Sequence, residues 1–164
     1  MSRKIFHFVM IKPSHYDADG YVIQFFRSAM PSNTLATIYG LAEDCRARKV
    51  LGEDVELKFT EIDETNRRVR VGRIARMLKR DGGRGRIGLI GVQSHQYPRA
   101  LDLARQFRAH GLPVCIGGFH VSGVLAMLKK NTPELQEALD IGVSLFAGEA
   151  EGRLETVLKD AHAG

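Results

Sequence analysis

Pro113-Val114-Cys115-Ile116-Gly117-Gly118-Phe119-His120 decides how this chain is read, because a short apolar run stops abruptly on two glycines. β-Branched residues over so few positions, closed by that punctuation, predict a buried strand. The adjacent Gly117 and Gly118 predict a C-terminal strand end stripped of side chains, bare backbone against which something large can lie. Ligands of open α/β sheets bind at that end of the strands.

Working outward, Pro98 opens a helix in which Ala100, Leu101, Leu103, Ala104 and Phe107 fall at helical spacing, with Gly111 as its stop. Ile87 to Val92, an apolar run broken only by glycines, predicts a central strand before it. Further upstream, Val71, Ile74, Ala75 and Leu78 mark a short basic amphipathic helix that ends at Asp81-Gly82-Gly83. Val55 to Ile62 alternates apolar and charged residues as a half-exposed edge strand does. Lys4 to Ile11 reads as the first strand, followed by a long loop from Lys12 to Met30. Pro31-Ser32-Asn33 then opens a helix carrying Leu35, Ile38, Tyr39, Leu41, Ala42 and Cys45. Downstream, a less regular helical region runs from Ser122 to Ala138, Val143 to Phe146 forms a fifth strand, and Glu149 to Ala161 forms a closing helix whose acidic first turn suits the dipole.

Five strands alternating with five helical regions predict a single α/β domain over the 164 residues. The expected architecture is a three-layer sandwich: a doubly wound, five-stranded parallel sheet of flavodoxin-like order 2-1-3-4-5. In that order the loops after strands one, three, four and five gather at one sheet edge.

Composition narrows the function classes. At 44% hydrophobic and 26% charged the chain is ordinary globular material, and no apolar run approaches the ~18 residues needed to cross a bilayer. The basic, apolar N-terminus leads into Lys12-Pro13 without a small-residue cleavage site, so it reads as a strand and not a signal peptide. Cys45 and Cys115 fall in a predicted helix and a predicted strand, too far apart for a metal cage, and reduced thiols of a cytoplasmic protein are expected. Between Arg67 and Arg86, nine cations face only Asp81, a net charge of +8 that leaves −3 for the rest of a +5 chain. Such a stripe could bind nucleic acid, but no stacking motif or zinc finger accompanies it, and a solvated helix face is the expected reading.

Four loops carry candidate chemistry. The loop after strand one, with Ser14, His15, Tyr16, Asp19, Tyr21, Phe25 and Phe26, is too long for a simple turn and reads as a lid or an extra helical turn over Val22 to Arg27. After strand three, Gln93-Ser94-His95-Gln96 offers donors and acceptors to a polar ligand group, or caps the helix that starts at Pro98. The paired glycines follow strand four, and Gly148-Glu149-Ala150-Glu151-Gly152 follows strand five. Gly83-Arg84-Gly85-Arg86-Ile87-Gly88 matches the dinucleotide-binding fingerprint but precedes a strand where it should follow one, so it is rejected. Receiver-type phosphoacceptor chemistry fails because Lys12 and Ser94 stand where acids are required. Ser94, His95, His120 and Glu149 could converge as a hydrolytic site, yet no nucleophile-elbow spacing supports one.

Taken together these features resemble the N-terminal cobalamin-binding domain of cobalamin-dependent radical SAM enzymes, the superfamily of the anaerobic magnesium-protoporphyrin IX monomethyl ester oxidative cyclase. The matching residues are Met30-Pro31-Ser32, Ile90-Gly91-Val92-Gln93-Ser94, Gly117-Gly118-Phe119-His120 and Ala147-Gly148-Glu149-Ala150-Glu151-Gly152, the last two being the specific pair. The resemblance runs from about Lys4 to Ala161.

It implies a corrin ring held over the C-terminal sheet edge, with a nucleotide tail running down between strands and helices. Ser14, Ser94, His95, Gly117, Gly118, Phe119, His120, Gly148 and Glu149 would form the cofactor site, Ser94 meeting the tail and Gly148-Glu149 walling the pocket. Many cobalamin domains place an Asp-x-His-x-x-Gly motif after the first strand, whose histidine ligates cobalt. Ser14-His15-Tyr16-Asp17-Ala18-Asp19-Gly20 lacks that spacing, as do many radical SAM relatives. The Cys-x-x-x-Cys-x-x-Cys trio that holds a 4Fe-4S cluster and cleaves S-adenosylmethionine does not occur here. The resemblance therefore implies that residues 1 to 164 are the N-terminal part of a larger enzyme, with a C-terminal radical SAM domain and a small-molecule substrate as partners. The alternative is a cofactor-free docking or regulatory domain with the same fold.

Overall fold

The computed structural model describes residues 4–26, 32–128 and 132–164. Its strands are β1 (Lys4–Lys12), β2 (Val55–Asp63), β3 (Gly85–Leu89), β4 (Val114–Gly117) and β5 (Ser144–Phe146). Its helices are α1 (Asn33–Ala47), α2 (Val71–Arg80), α3 (Tyr97–Ala109), α4 (Phe119–Leu128), α5 (Pro133–Asp140) and α6 (Leu154–Ala163). The strands form one parallel sheet of order β2-β1-β3-β4-β5, the expected flavodoxin-like arrangement.

Strand alternation distributes the core over both sheet faces. Val9, Ile11, Ile87, Leu89, Val114 and Ile116 point to one face, where they meet Ile74 and Leu78 of α2, the apolar side of α3, Val121 of α4 and Leu135 of α5. Phe6, Phe8, Met10 and Leu57 point to the other, under Leu35, Ala42 and Cys45 of α1 and Leu154 and Leu158 of α6. No helix among the described residues is long and apolar enough to cross a membrane.

Several boundaries differ from expectation. The single helical region of Ser122 to Ala138 is two helices, α4 and α5, because Thr132 caps a new start, its hydroxyl accepting from Leu135 N at 3.4 Å with Pro133 behind it. The closing helix begins at Leu154, not Glu149, so Glu149 and Glu151 lie in the preceding loop and only Glu155 sits in the first turn. β3 stops at Leu89 because Gly91 turns the chain at φ +65°. α1 opens where expected, with Ser32 as its cap accepting from Leu35 N at 3.2 Å, whereas Met30 and Pro31 of that motif lie outside the described residues.

The loop after β1 contains no helical turn in its described part, up to Phe26. Tyr16 and Val22 form an antiparallel bridge, Asp17 Oδ1 accepts from the backbone of Asp19 and Tyr21, and Ser14 Oγ donates to Ile23 O. A buried carboxylate anchors this finger. Glu64, fully buried, accepts from Ser14 N at 3.1 Å and from Arg99 Nη2 at 2.6 Å, while Tyr16 donates to Asp102 at 2.6 Å. Gln96 Nε2 adds a buried bond to Pro13 O at 2.9 Å, tying the loop after β1 to the loop after β3.

Candidate functional site

A cleft of about 510 Å³ opens at the C-terminal sheet edge and runs down the α1/α6 face. Its floor is Phe8, Gly88, Cys115 and Gly117, and its walls are Thr34, Thr37 and Ile38 of α1 opposite Leu154 and Val157 of α6. Gly91, Phe119, Gly148 and Glu149 ring the mouth. The cleft exists because the strands are asymmetric. On β3 and β4 every second residue is small or polar, Arg86 and Gly88, then Cys115 and Gly117, while the alternate positions Ile87, Leu89, Val114 and Ile116 are buried core. A helix cannot close down on so little apolar surface, and the gap between α1 and α6 stays open.

The two glycines of β4 have different jobs. Gly117 fronts the cleft, where an added Cβ would sit 3.3 Å from Phe146 Cβ. Gly118 contributes to the lining too, but the direction of its missing side chain is filled by the protein itself. At φ +142° its Cβ would run into the backbone nitrogen of Val92 and lie 2.7 Å from the carbonyl carbon of Gly91. Val92 N donates to Gly117 O at 3.1 Å and His120 N to Val92 O at 3.0 Å, so the loops after β3 and β4 are stitched together there. The expectation that both glycines bare the backbone for a ligand is thus corrected: Gly118 serves close chain-to-chain approach.

Of the residues expected to form the site, Gly117, Gly118, Phe119, Gly148 and Glu149 line the cleft; Ser14, Ser94, His95 and His120 do not. Ser14 is fully buried inside the finger. His95 is exposed and packs edge-on against His15, ring centroids 4.8 Å apart, and His15 does not line the cleft either. Ser94 does not cap α3, whose start carries no side-chain cap; Gln93 and Gln96 instead cap the short 3-10 turn Ser94–Gln96 that precedes it, Gln93 N donating to Gln96 Oε1 at 3.0 Å. Among the described residues no group of three His, Cys, Asp or Glu side chains is placed to hold a metal ion.

Ser94 and His120 do meet, with Ser94 Oγ 3.2 Å from His120 Nδ1, and Glu134 Oε2 lies 3.5 Å from Nε2. Glu134, not Glu149, is the carboxylate that faces this histidine. The ring is 8% exposed and lies against Tyr97 at 4.3 Å between centroids. Burial pulls the His120 imidazole below its ordinary value of 6.5, with Glu134 acting in the opposite direction. The folded protein therefore takes up this proton less readily than the unfolded chain. The neutral ring's contribution is fully present above pH 6.5 and is lost progressively as acid takes the pH below that value. His120→Gln is expected to lessen the fall in urea midpoint between about pH 7.5 and about pH 5; an unchanged fall would show that another group titrates.

Sequence reasoning missed Thr37, Arg86, Gly88 and Cys115 as site residues. The signal was the period-2 pattern Arg86-Ile87-Gly88-Leu89, read as one apolar run. Burial raises the Cys115 thiol, with Arg86 acting against the shift, and so favours the neutral form. The basic segment likewise divides. Arg67, Arg68, Arg70, Arg73, Arg76, Lys79, Arg80 and Arg84 are exposed, with an ion pair only from Arg80 to Asp81 among the described residues, whereas Arg86 turns into the cleft. Compared with protein-family models, curated proteins and solved structures, the chain matches none.

Proposed function

We propose that this chain is a corrinoid-binding module, with the corrin ring over the C-terminal sheet edge and the nucleotide tail in the cleft between α1 and α6. The observation that carries the reading is the cleft itself. Its 510 Å³ falls within the ~300–1,000 Å³ of small-molecule sites, it opens where open α/β sheets bind ligands, and it runs on down the sheet as a long appendage requires. Gly88 supports the fit, since a Cβ there would lie 3.1 Å from the Phe8 ring, on the cleft floor. The departure in the loop after β1 is consistent with a corrinoid held without a protein ligand to cobalt, because His15 faces His95 and not the cleft.

A bound corrinoid would supply a cobalt centre for methyl or electron transfer. In this reading a radical SAM domain of the same polypeptide, with its 4Fe-4S cluster and S-adenosylmethionine, acts on the small-molecule substrate above the ring. A cleft filled from its rim would favour the cofactor-free docking reading, and an open one opposes it. Tyr16 is instead held by Arg99 and Asp102, Phe25 is exposed, and Phe119 is 75% exposed at the mouth, so among the described residues nothing fills the space above Gly117.

Incubation with hydroxocobalamin followed by desalting is expected to leave a coloured protein, and a colourless one would overturn the proposal. Thr37→Trp places an indole into the cleft from an exposed helical position, and is expected to weaken binding on the order of 100-fold. Unchanged circular dichroism of that variant would show that the loss comes from the filled cleft.

A further inference from the structure

Among the described residues Arg86 is the one cation that lines the cleft, and it lies on the floor side. It shares the strand face of Gly88, and its Nη1 donates to Ser144 Oγ on β5 at 3.2 Å, which draws the guanidinium across β4 beside Cys115. Its Nε is buried and has no hydrogen-bond partner among the described residues. Among the described residues Arg86 forms no ion pair, its side-chain contact being Ser144, and the carboxylates of the cleft, Glu149 and Glu151, belong to the loop at its mouth. The neighbouring Cys115 thiol stays neutral and does not balance the charge.

A cation held in a cleft without an ion-pair partner favours a ligand that brings hydrogen-bond acceptors to the donors its guanidinium turns toward the cleft. We infer that the inner end of the cleft selects a tail whose terminal ring carries hydrogen-bond acceptors along its leading edge, an adenine-type base in preference to dimethylbenzimidazole, with Arg86 as the selecting residue. The inference rests on the corrinoid reading above. Adenine presents ring nitrogens as acceptors along its edge, and the planar guanidinium supplies the N–H donors that meet them. Dimethylbenzimidazole leads with two methyl groups, which would cover the Arg86 donors and satisfy none. A site built around a hydrogen bond discriminates strongly against an analogue that cannot make it.

The test compares three probes against the wild-type chain and Arg86→Met by titration calorimetry: tail-free cobinamide, hydroxocobalamin and the adenine-tailed cobamide. The wild type is expected to bind the adenine-tailed form ~10–100-fold more tightly than hydroxocobalamin, the range of a hydrogen bond to a charged group. Arg86→Met is expected to abolish that preference and to leave cobinamide affinity unchanged. If Arg86→Met does not fold, Ser144→Ala, which frees the guanidinium from β5, is expected to reduce the preference instead. Equal affinities in the wild type, or a preference for hydroxocobalamin, would overturn the inference while leaving the corrinoid reading intact. Binding of none of the three would overturn the corrinoid reading and the inference with it.

Discussion

Glu64→Leu is expected to destabilise the fold by about 3–5 kcal/mol, the range for breaking a buried ion pair from one side. Glu64 is fully buried, and the Arg99 guanidinium meets both its carboxylate oxygens, Nε at 3.2 and 3.1 Å and Nη2 at 2.6 Å. Removing the carboxylate strands a guanidinium whose side chain is 13% exposed, and also orphans Ser14 N. The damage spreads along a chain of contacts. Arg99 Nη1 lies 3.4 Å from the Tyr16 hydroxyl, so the finger after β1 loses its internal anchor as well. Urea unfolding of Glu64→Leu, Arg99→Met and the double variant measures this directly, and the double variant is expected to recover part of the loss. A single-variant cost below about 1 kcal/mol would show that the pair is solvated and not structural.

Gly118→Ala is expected to cost about 3–5 kcal/mol, placing it among the most damaging single substitutions. Two effects add: a φ of +142° that side-chain-bearing residues rarely adopt, and a methyl group driven into the Val92 backbone nitrogen. Backbone cannot move aside as a flexible side chain can. Gly117→Ala, where the nearest atom is Phe146 Cβ at 3.3 Å, is expected to cost only about 1 kcal/mol. Thermal denaturation of the two variants side by side checks the contrast, and equal losses would refute the separate roles assigned to the neighbouring glycines. Gly118 is accordingly a poor probe of ligand binding, since any loss of binding would accompany loss of structure.

Much of this architecture was legible in the residues. Strand order followed from alternation, because each βαβ unit has one favoured hand and the apolar run of β1, the period-2 pattern of β2 and the period-3.6 pattern of α3 are strong. Element ends were less legible. The split between α4 and α5 depends on a threonine cap and a proline inside a region of mixed periodicity, and the late start of α6 depends on a loop that glutamates alone made look helical. The candidate site was legible only in position. Gly117, Phe119, Gly148 and Glu149 were found because loops at a known sheet edge are short and distinctive. Thr37 and Arg86 were not, because a wall of α1 or the face of a strand acquires meaning only when the opposite wall is known. Ser14 and His95 misled for the reverse reason: polar residues near a ligand edge can equally be fasteners of the loops that carry them.

β2 is a nine-residue strand at the border of the sheet, with one flank unpaired by β1. Left apolar, such a border would invite a second molecule to zip on and seed fibres. Glu56, Lys58 and Glu61 interrupt it, so a sliding neighbour that tried successive alignments would repeatedly oppose like charges or bury unmatched ones. The sheet can therefore end in mid-solvent without growing.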